Sequence, residues 1–177
     1  MEPALGTWEA IDSVRAVRSF AADPLSPAEE ERILNAGRRA GSAKNRQPCA
    51  FVVVRDRARL AELAAVGPYA GHLAGAAAAI ALVTPDPHAA EAPLSIMFDL
   101  GRAAQNMVLA AWELGVGSVP ATVYDQALVG RLLGLPGGMH CEFLLSFGRP
   151  SDESLLTAPN RPGGRRPLAE VVHRERW

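Results

Sequence analysis

The sequence predicts a single domain of mixed α/β or α+β class, and three observations support this prediction. The chain has 177 residues and no low-complexity stretch long enough to act as a linker, which fits one domain with a sizeable core. Hydrophobic residues make up 49% of it, so it should be globular rather than disordered. Predicted strands alternate with predicted helices, and crossovers of this length bring helices onto the faces of a sheet. We therefore expect one domain spanning residues 1–177.

Charge and hydropathy limit the classes of partner. The formal net charge is −1, so no overall field would draw the chain to nucleic acid or to an anionic membrane. The N-terminus has no apolar run, and the longest apolar stretch, residues 73–83, is too short to span a bilayer. We expect a cytoplasmic protein with no nucleic-acid and no membrane partner. Cys49 and Cys141 belong to no Cys-x-x-Cys pair and are expected to be buried free thiols.

Two helices are predicted before residue 41. Apolar residues recur every third position from Trp8 to Val17, which predicts a short helix ending near Ser19, with Arg15 and Arg18 on one face. A second helix should begin at Pro27, because Ser26-Pro27-Ala28-Glu29 combines an N-cap hydroxyl, a proline at the first helical position and a returning glutamate. It is expected to run to about Ala40.

A polar loop and two buried strands follow. Residues 42–47 are polar and precede Pro48 and the β-rich run 50–54, and a loop before a buried strand is a natural place for a binding site. Residues 58–66 are predicted to be a helix and residues 77–83 a second buried strand. The stretch 85–93 is expected to be a loop.

The longest predicted helix covers residues 95–114. One face is apolar over more than five turns, and Gly115 is placed to end it. Small residues on its surface would let a second long helix approach closely, so the helix is either a dimer seam or a core helix of a monomer. Those small residues are Gly101, Ala103, Ala104, Ala110 and Ala111.

The remaining elements are shorter. Residues 115–120 are expected to form a connection to a short helix capped by Asp125 and ended by Gly134. Residues 141–147 are predicted to be the third strand. The tail is expected to be a loop over residues 151–166, followed by a terminal helix or arm over residues 167–177.

No reactive constellation of side chains stands out. The four histidines are far apart and lack liganding partners at metal-site spacing, so no metal is expected. Neither a Gly-x-Ser-x-Gly elbow nor a phosphate loop of the Gly-x-x-x-x-Gly-Lys type occurs. A protein without its own reactive group can take one from a cofactor.

Polar residues at element ends suggest where a ligand could bind. They are Arg15 with Arg18, the loop at residues 42–47, and Arg165 with Arg166 near the tail. Two arginines three residues apart on a helix could hold a phosphate with their rigid forks. Each feature alone is more often a solvated charge or an ordinary turn, and only their joint occurrence favours a binding site.

Four ordered segments carry a family resemblance. Arg15-Ala16-Val17-Arg18-Ser19-Phe20, and Gly41-Ser42-Ala43-Lys44-Asn45-Arg46-Gln47-Pro48 before the first strand, resemble the opening of FMN-dependent nitroreductases, with their Arg-Arg-Ser-x-Arg-x-Phe and Pro-Ser-x-x-Asn-x-Gln-Pro-Trp patterns. Asp99 to Met107, with Leu114-Gly115-Val116-Gly117, resembles the central helix of that family. Leu145 to Pro150 and Arg166-Pro167-Leu168 resemble its last core strand and C-terminal segment.

The resemblance implies an α+β fold with a central mixed or antiparallel sheet flanked by helices. It further implies a homodimer that exchanges terminal segments and holds one FMN at each end of a large interface. The residues implied to bind the cofactor are Arg15, Ala16, Arg18, Ser42, Ala43, Asn45, Gln47, Pro120, Ala121, Thr122 and Arg166.

Each group of these residues has an implied role. Arg15, with Arg166, would hold the flavin phosphate, and Arg18 would lie beside the pyrimidine, where a cation stabilises the charge that reduced flavin gains near N1. Ser42, Ala43 and Asn45 would come from the partner chain. Residues 120–122 would line the other side of the ring and offer a backbone N–H to N5.

Departures from the family pattern bear on the same residues. Val14 and Ala16 stand where larger members have Arg and Ser, Gly41 replaces a proline and Cys49 replaces a tryptophan. The phosphate is therefore expected to be held by fewer side chains than in those members.

The implied activity is ping-pong hydride transfer from NAD(P)H through flavin N5 to a small-molecule acceptor such as a nitroaromatic or a quinone, with no catalytic side chain. Two alternatives keep the fold: specialised flavin chemistry, such as flavin destruction or dehalogenation, and flavin storage without turnover. A third alternative needs no flavin: an α/β interaction domain that dimerises through its long helix. It would be colourless, and its stability would not depend on FMN.

Overall fold

The fold is built on a four-stranded antiparallel sheet. The structure is a computed structural model that describes residues 5–159 and 164–177. Its strands are β1 (Ala50–Val54), β2 (Ala78–Pro85), β3 (Gly117–Thr122) and β4 (Met139–Gly148), and they lie in the order β1-β2-β4-β3. The two outer strands are therefore β1 and β3. An antiparallel sheet flanked by helices confirms the α+β class.

Helices cover both faces of this sheet. They are α1 (Thr7–Ser13), α2 (Pro27–Arg38), α3 (Arg57–Leu63), α4 (Ser95–Glu113), α5 (Gln126–Leu133) and α6 (Leu168–Val171). Helices α2 and α4 pack on one face, where Ile33, Met107 and Leu145 are buried. Helices α3 and α5 pack on the other, around Leu60 and Leu144. Neighbouring residues Leu144 and Leu145 of β4 serve opposite layers, as alternation along a strand requires.

The start of α2 forms as its sequence predicts. The N–H of Glu29 bonds to Oγ of Ser26, and the Ser26 N–H donates to the Glu29 carboxylate over 2.8 Å. This reciprocal cap satisfies two backbone donors that no helical carbonyl can reach. The helix ends at Arg38, two residues before the predicted end.

The predicted helix over residues 8–18 is wrong beyond Ser13. After α1 the chain is extended, and the Val17 N–H donates to the Ser118 carbonyl over 3.0 Å. Ala16 and Ser118 form a parallel bridge, and the Val17 side chain is buried. Docking on the sheet edge satisfies backbone groups and buries an apolar side chain, which outweighs the weak local preference for helix. Arg15 and Arg18 therefore do not share a helix face.

Strand β3 was not predicted: the sequence favoured a connection over residues 115–120. Gly117 and Pro120 disfavour a strand locally, yet all six residues of β3 pair with β4. Proline is tolerated because β3 pairs with β4 on one side only, and Pro120 lies at a position whose backbone faces away from β4. The run at residues 141–147 is thus the fourth strand along the chain, within the longer β4.

The other predicted elements form with shifted ends. Helix α4 and strands β1 and β2 match their predictions to within two residues, and α3 ends three residues early, at Leu63. Asp125 caps α5, and Gly134 ends it with φ of 63°. Helix α4 buries Ala103 and Ala111 within its own chain, whereas Gly101 is exposed.

The tail is an arm rather than a long terminal helix. Residues 164–177 are exposed throughout, and α6 is four residues long. Part of the predicted 151–166 loop, residues 160–163, lies outside the described residues. Cys141 is buried as expected, whereas Cys49 is only partly buried. Within residues 5–159 and 164–177, no helix is long and apolar enough to cross a membrane.

Candidate functional site

The outer edge of β3 carries the backbone part of the candidate site. The Val123 N–H bonds to Glu142 of β4, whereas the Ser118 carbonyl accepts from Val17 on the other side. Because backbone groups alternate along an edge strand, residues 118, 120 and 122 direct theirs away from β4. Pro120 has no N–H, so among residues 120–122 only Thr122 offers one on the outer edge. The Ala121 side chain is buried in the layer beneath α3 and α5.

Beside this edge lies a cleft of 540 Å³, which we call the β3 cleft. It brings together Arg18 and Pro120, which are far apart in sequence but were both assigned to a single site. Its other walls were not predicted and come from the turn before β2. Among the described residues, its lining is Arg18, Pro68, Tyr69, Gly71, His72 and Pro120. The sequence did contain a signal for these walls. A Gly-Pro turn with polar residues precedes the buried strand β2, just as the polar loop at residues 42–47 precedes β1.

His72 is the titratable group of the β3 cleft that sequence reasoning missed. Its Nδ1 lies 2.9 Å from Oγ of Ser146, and that hydroxyl donates to the Val119 carbonyl over 3.2 Å. Nε2 is buried and forms no hydrogen bond within the described residues. Burial lowers the pKa of His72 below its ordinary 6.5 and the charge of Arg18 lowers it further, while the nearby Pro120 carbonyl opposes both less strongly. The imidazole is therefore neutral at neutral pH.

Two glycines allow the backbone to approach the β3 edge closely. A Cβ at Gly117 would lie 2.6 Å from Cβ of Val17, which no side-chain rotation can relieve. A Cβ at Gly67 would lie 2.6 Å from the Thr122 carbonyl oxygen. Both positions must lack a side chain for the residues 15–18 and the turn before β2 to pack against β3.

The remaining predicted phosphate residues lie apart from the cleft lining. The Arg15 guanidinium donates from Nη2 to the Ala158 carbonyl and from Nε to the Ser13 carbonyl. Arg15 therefore ties the tail to the segment after α1. Ala16 is exposed and bridges to Ser118, and Arg166 lies in the exposed arm.

The loop of residues 42–47 is held in a strained conformation. Lys44, Asn45 and Gln47 have φ of 52°, 55° and 50°, and they are three of the four non-glycine residues with positive φ among the described residues. Such angles are disfavoured for residues with a Cβ, and clusters of them mark functional loops. The Ala43 N–H donates to Oδ2 of buried Asp99 over 2.9 Å, and the Gln47 N–H donates to Ser42 Oγ over 2.8 Å.

This loop and the β3 cleft lie at opposite edges of the sheet. The loop leads into β1 and borders a pocket of 70 Å³, whose lining includes Ser42, Gln47, Cys49 and Asp99. Burial and the Asp99 charge raise the pKa of the Cys49 thiol, which is therefore no thiolate nucleophile. Strands β1 and β3 are three interstrand spacings apart, about 14 Å. Within one chain, the structure thus does not bring Ser42, Ala43, Asn45 and Gln47 to Arg18 and Pro120.

The chain is similar to known proteins along most of its length. A model of the nitroreductase family matches residues 11–71 and 64–149. A putative NADH dehydrogenase/NAD(P)H nitroreductase of Archaeoglobus fulgidus is 34% identical over 169 residues, covering 92% of this chain and 94% of that protein.

Two solved structures are similar along nearly the whole chain. NADPH:FMN oxidoreductase from Vibrio harveyi, complexed with NAD⁺, superposes with a TM-score of 0.84 at 28% identity, covering 97% of this chain and 77% of the other. A putative nitroreductase in complex with FMN from Desulfovibrio desulfuricans has a TM-score of 0.77 at 30% identity, with 96% of each chain covered.

Proposed function

The chain belongs to the nitroreductase family and is an NAD(P)H-dependent flavin oxidoreductase, and from that premise we propose that it transfers hydride through FMN to a small acceptor such as a nitroaromatic or a quinone. The observation that carries this proposal is the β3 cleft. One chain places a guanidinium, a strand edge with an outward N–H and a neutral imidazole around one cavity.

The residues of the β3 cleft fit a flavin. Its 540 Å³ falls within the range of about 300–1,000 Å³ that is usual for small-molecule sites. Arg18 is exposed at the cleft wall and supplies the cation for the electron-rich pyrimidine side. A bound ring would lie against the strand of Pro120 and Ala121, and Thr122 would offer its outward N–H to N5. A resident carboxylate would repel electron density there, and none is among the residues that line the described cleft.

The phosphate end is assigned to Arg15 and Arg166, and Ala16 lies next to Arg15 on the segment that docks on β3. Arg15 lies three residues before Arg18 on the same extended segment. Its two bonds to backbone carbonyls hold the guanidinium in place, and a guanidinium carries five N–H donors in all. Arg166 approaches from the arm, whose exposed placement lets it pack on a second copy.

A second copy of the chain supplies the other half of the site. Ser42, Ala43, Asn45 and Gln47 sit on a preformed loop at the far edge of the sheet, so a homodimer can bring them to the partner's cleft. Large apolar side chains are exposed on α1, α4 and the arm, which is typical of surfaces that become buried on association. They include Trp8, Phe98, Leu168 and Trp177.

The proposed reaction requires no reactive side chain. FMN, when bound, supplies the atom that accepts and returns the hydride. The chain orients the ring with Pro120 and Thr122, stabilises added negative charge with Arg18, and needs no side chain as nucleophile. Position and electrostatics are thus the protein's contribution.

An absorption spectrum of the purified protein tests the proposal first. A yellow protein that releases FMN on heating and bleaches anaerobically with NADPH or NADH is the expected result. Yellow protein that neither nucleotide bleaches would favour storage, and a colourless protein that FMN neither binds nor stabilises would overturn the proposal. Arg18→Gln should lower FMN affinity and slow bleaching, whereas Arg59→Gln, an exposed residue of α3, is the matched control.

A further inference from the structure

The neutral imidazole of His72 lines the β3 cleft, but the mechanism proposed above gives it no chemical role. We propose that His72 is the proton acceptor of this cleft and takes up one solvent proton at Nε2 when hydride reduces the flavin held there. This inference rests on the proposed function, because it requires FMN in the β3 cleft.

The hydrogen bonds of Ser146 identify the nitrogen that is available. A hydroxyl has one hydrogen, and Ser146 gives its own to the Val119 carbonyl, which cannot donate. In the tautomer consistent with that bond, Nδ1 of His72 donates to Ser146 Oγ. In a neutral ring this leaves the lone pair on Nε2. The unpartnered nitrogen is therefore the basic one.

The described residues that line the cleft around the ring are neutral or positively charged. The N-terminal segment contributes Arg18, β4 contributes the Ser146 hydroxyl, β3 contributes the Pro120 carbonyl, and the turn that carries His72 contributes the exposed Tyr69. No carboxylate is among the lining residues of the described cleft. Arg18 and burial together keep the ring neutral until a negative charge arrives.

Reduction by hydride supplies that charge. A hydride carries two electrons and one proton from NAD(P)H to the flavin, so the flavin gains one negative charge and NAD(P)⁺ leaves. An opposite charge within about 4–6 Å raises the pKa of a base by about one to three units. One proton from solvent then binds Nε2, and Nδ1 keeps its bond to Ser146. The sum is NAD(P)H, oxidised flavin, neutral His72 and one solvent proton going to NAD(P)⁺, anionic reduced flavin and protonated His72.

The proton count per flavin tests the proposal. The FMN-loaded dimer is mixed anaerobically with the nucleotide that bleaches it, in weak buffer with a pH indicator at neutral pH. We expect one proton taken up per flavin by the wild type and none by His72→Asn, whose amide N–H₂ can keep the bond to Ser146. His88→Asn changes an exposed histidine outside the cleft and should still take up one proton.

The outcomes separate the two proposals. A wild-type count of zero, or an unchanged count in His72→Asn, would overturn the role of His72 while leaving the oxidoreductase assignment in place. Failure of the wild type to hold FMN or to bleach would overturn both. If His72→Asn does not retain FMN, nuclear magnetic resonance of isotope-labelled histidine in the wild type decides, since one ring must become protonated on reduction.

Discussion

The two halves of the candidate site are built in different ways. At the β3 edge, a buried Val17, a backbone bond to Ser118 and a glycine at residue 117 hold Arg18 in place through contacts about a hundred residues apart in sequence. The loop of residues 42–47 is instead held by short-range bonds among its own residues and by Asp99, and three of its residues have positive φ.

This difference shows which interactions fix the geometry of each half of the site. The β3 edge has its shape because strand pairing and packing leave the 15–18 segment one place to lie. The 42–47 loop holds an unfavourable backbone shape only as long as its few bonds resist relaxation. Mutations at the β3 edge should therefore affect folding and cofactor binding together, whereas mutations that remove the bonds of the loop should mainly affect cofactor binding.

The largest effect is expected for Gly117→Ala. The new Cβ would overlap Cβ of Val17, so the 15–18 segment must move away from β3 and take Arg18 with it. Overpacking of this kind lowers the free energy of unfolding by about 1–3 kcal/mol. Urea unfolding and FMN titration should both show the loss.

Val17→Ala in the same chain is the control. It removes the Cγ atoms that lie 2.6 and 2.9 Å from the new Cβ but keeps the Val17 Cβ, which lies 2.6 Å from it, so the double variant should recover only a minor part of the FMN affinity. If Gly117→Ala binds FMN as tightly as the wild type, the 15–18 segment is not what orients Arg18.

A smaller effect is expected at the loop, for Asp99→Ala. The change leaves the Ala43 N–H without its acceptor, and a lost bond of this kind costs about 1–2 kcal/mol, or roughly tenfold in FMN affinity. Asp99→Asn keeps an acceptor oxygen and should lose less. FMN titration of both variants measures this, and equal losses would mean that the Asp99 charge matters and its hydrogen bond does not.

The same contrast explains what the sequence could predict. Caps and turns are local, so the start of α2 at Ser26 and the end of α5 at Gly134 follow from adjacent residues. The extended chain after Ser13 and the strand β3 form because they pair with each other and with β4. No local pattern reports such pairing, and glycine with proline even argues against a strand.

The site residues, too, could be predicted only where a sequence pattern indicates them. Arg18 and Pro120 came from motifs that resemble a family, and the structure brings those two residues to one cleft. The roles of all eleven assigned residues remain predictions for binding experiments. His72 was missed because an isolated histidine carries no signal until the fold places Ser146 and Arg18 beside it.

Acid pH should lower the free energy of unfolding of the cofactor-free protein, because His72 lies at the β3 edge. The pKa of His72 in the fold is lower than its ordinary 6.5, so the unfolded chain binds a proton more readily. The free energy of unfolding should therefore fall as pH drops below about 6.5, until the folded pKa is passed. Urea unfolding at about pH 7.5 and about pH 5.5 should show a smaller fall for His72→Asn than for the wild type. An equal fall would place the acid sensitivity elsewhere.

The smallest effect is expected for Lys44→Gly, and its sign distinguishes strain from function. Glycine adopts a φ of 52° freely, which removes a strain of about 1–2 kcal/mol, but it loses about 0.5–1 kcal/mol to the greater freedom of the unfolded chain. The folded protein should thus gain at most about 1.5 kcal/mol, with unchanged FMN affinity, because the loop already has the shape that glycine prefers. Thermal unfolding with FMN titration measures both quantities. Arg46→Gly is the matched comparison at negative φ and should destabilise, since it relieves no strain. If Lys44→Gly instead weakens FMN binding, the Lys44 side chain takes part in holding the cofactor, and the loop contributes more than backbone geometry.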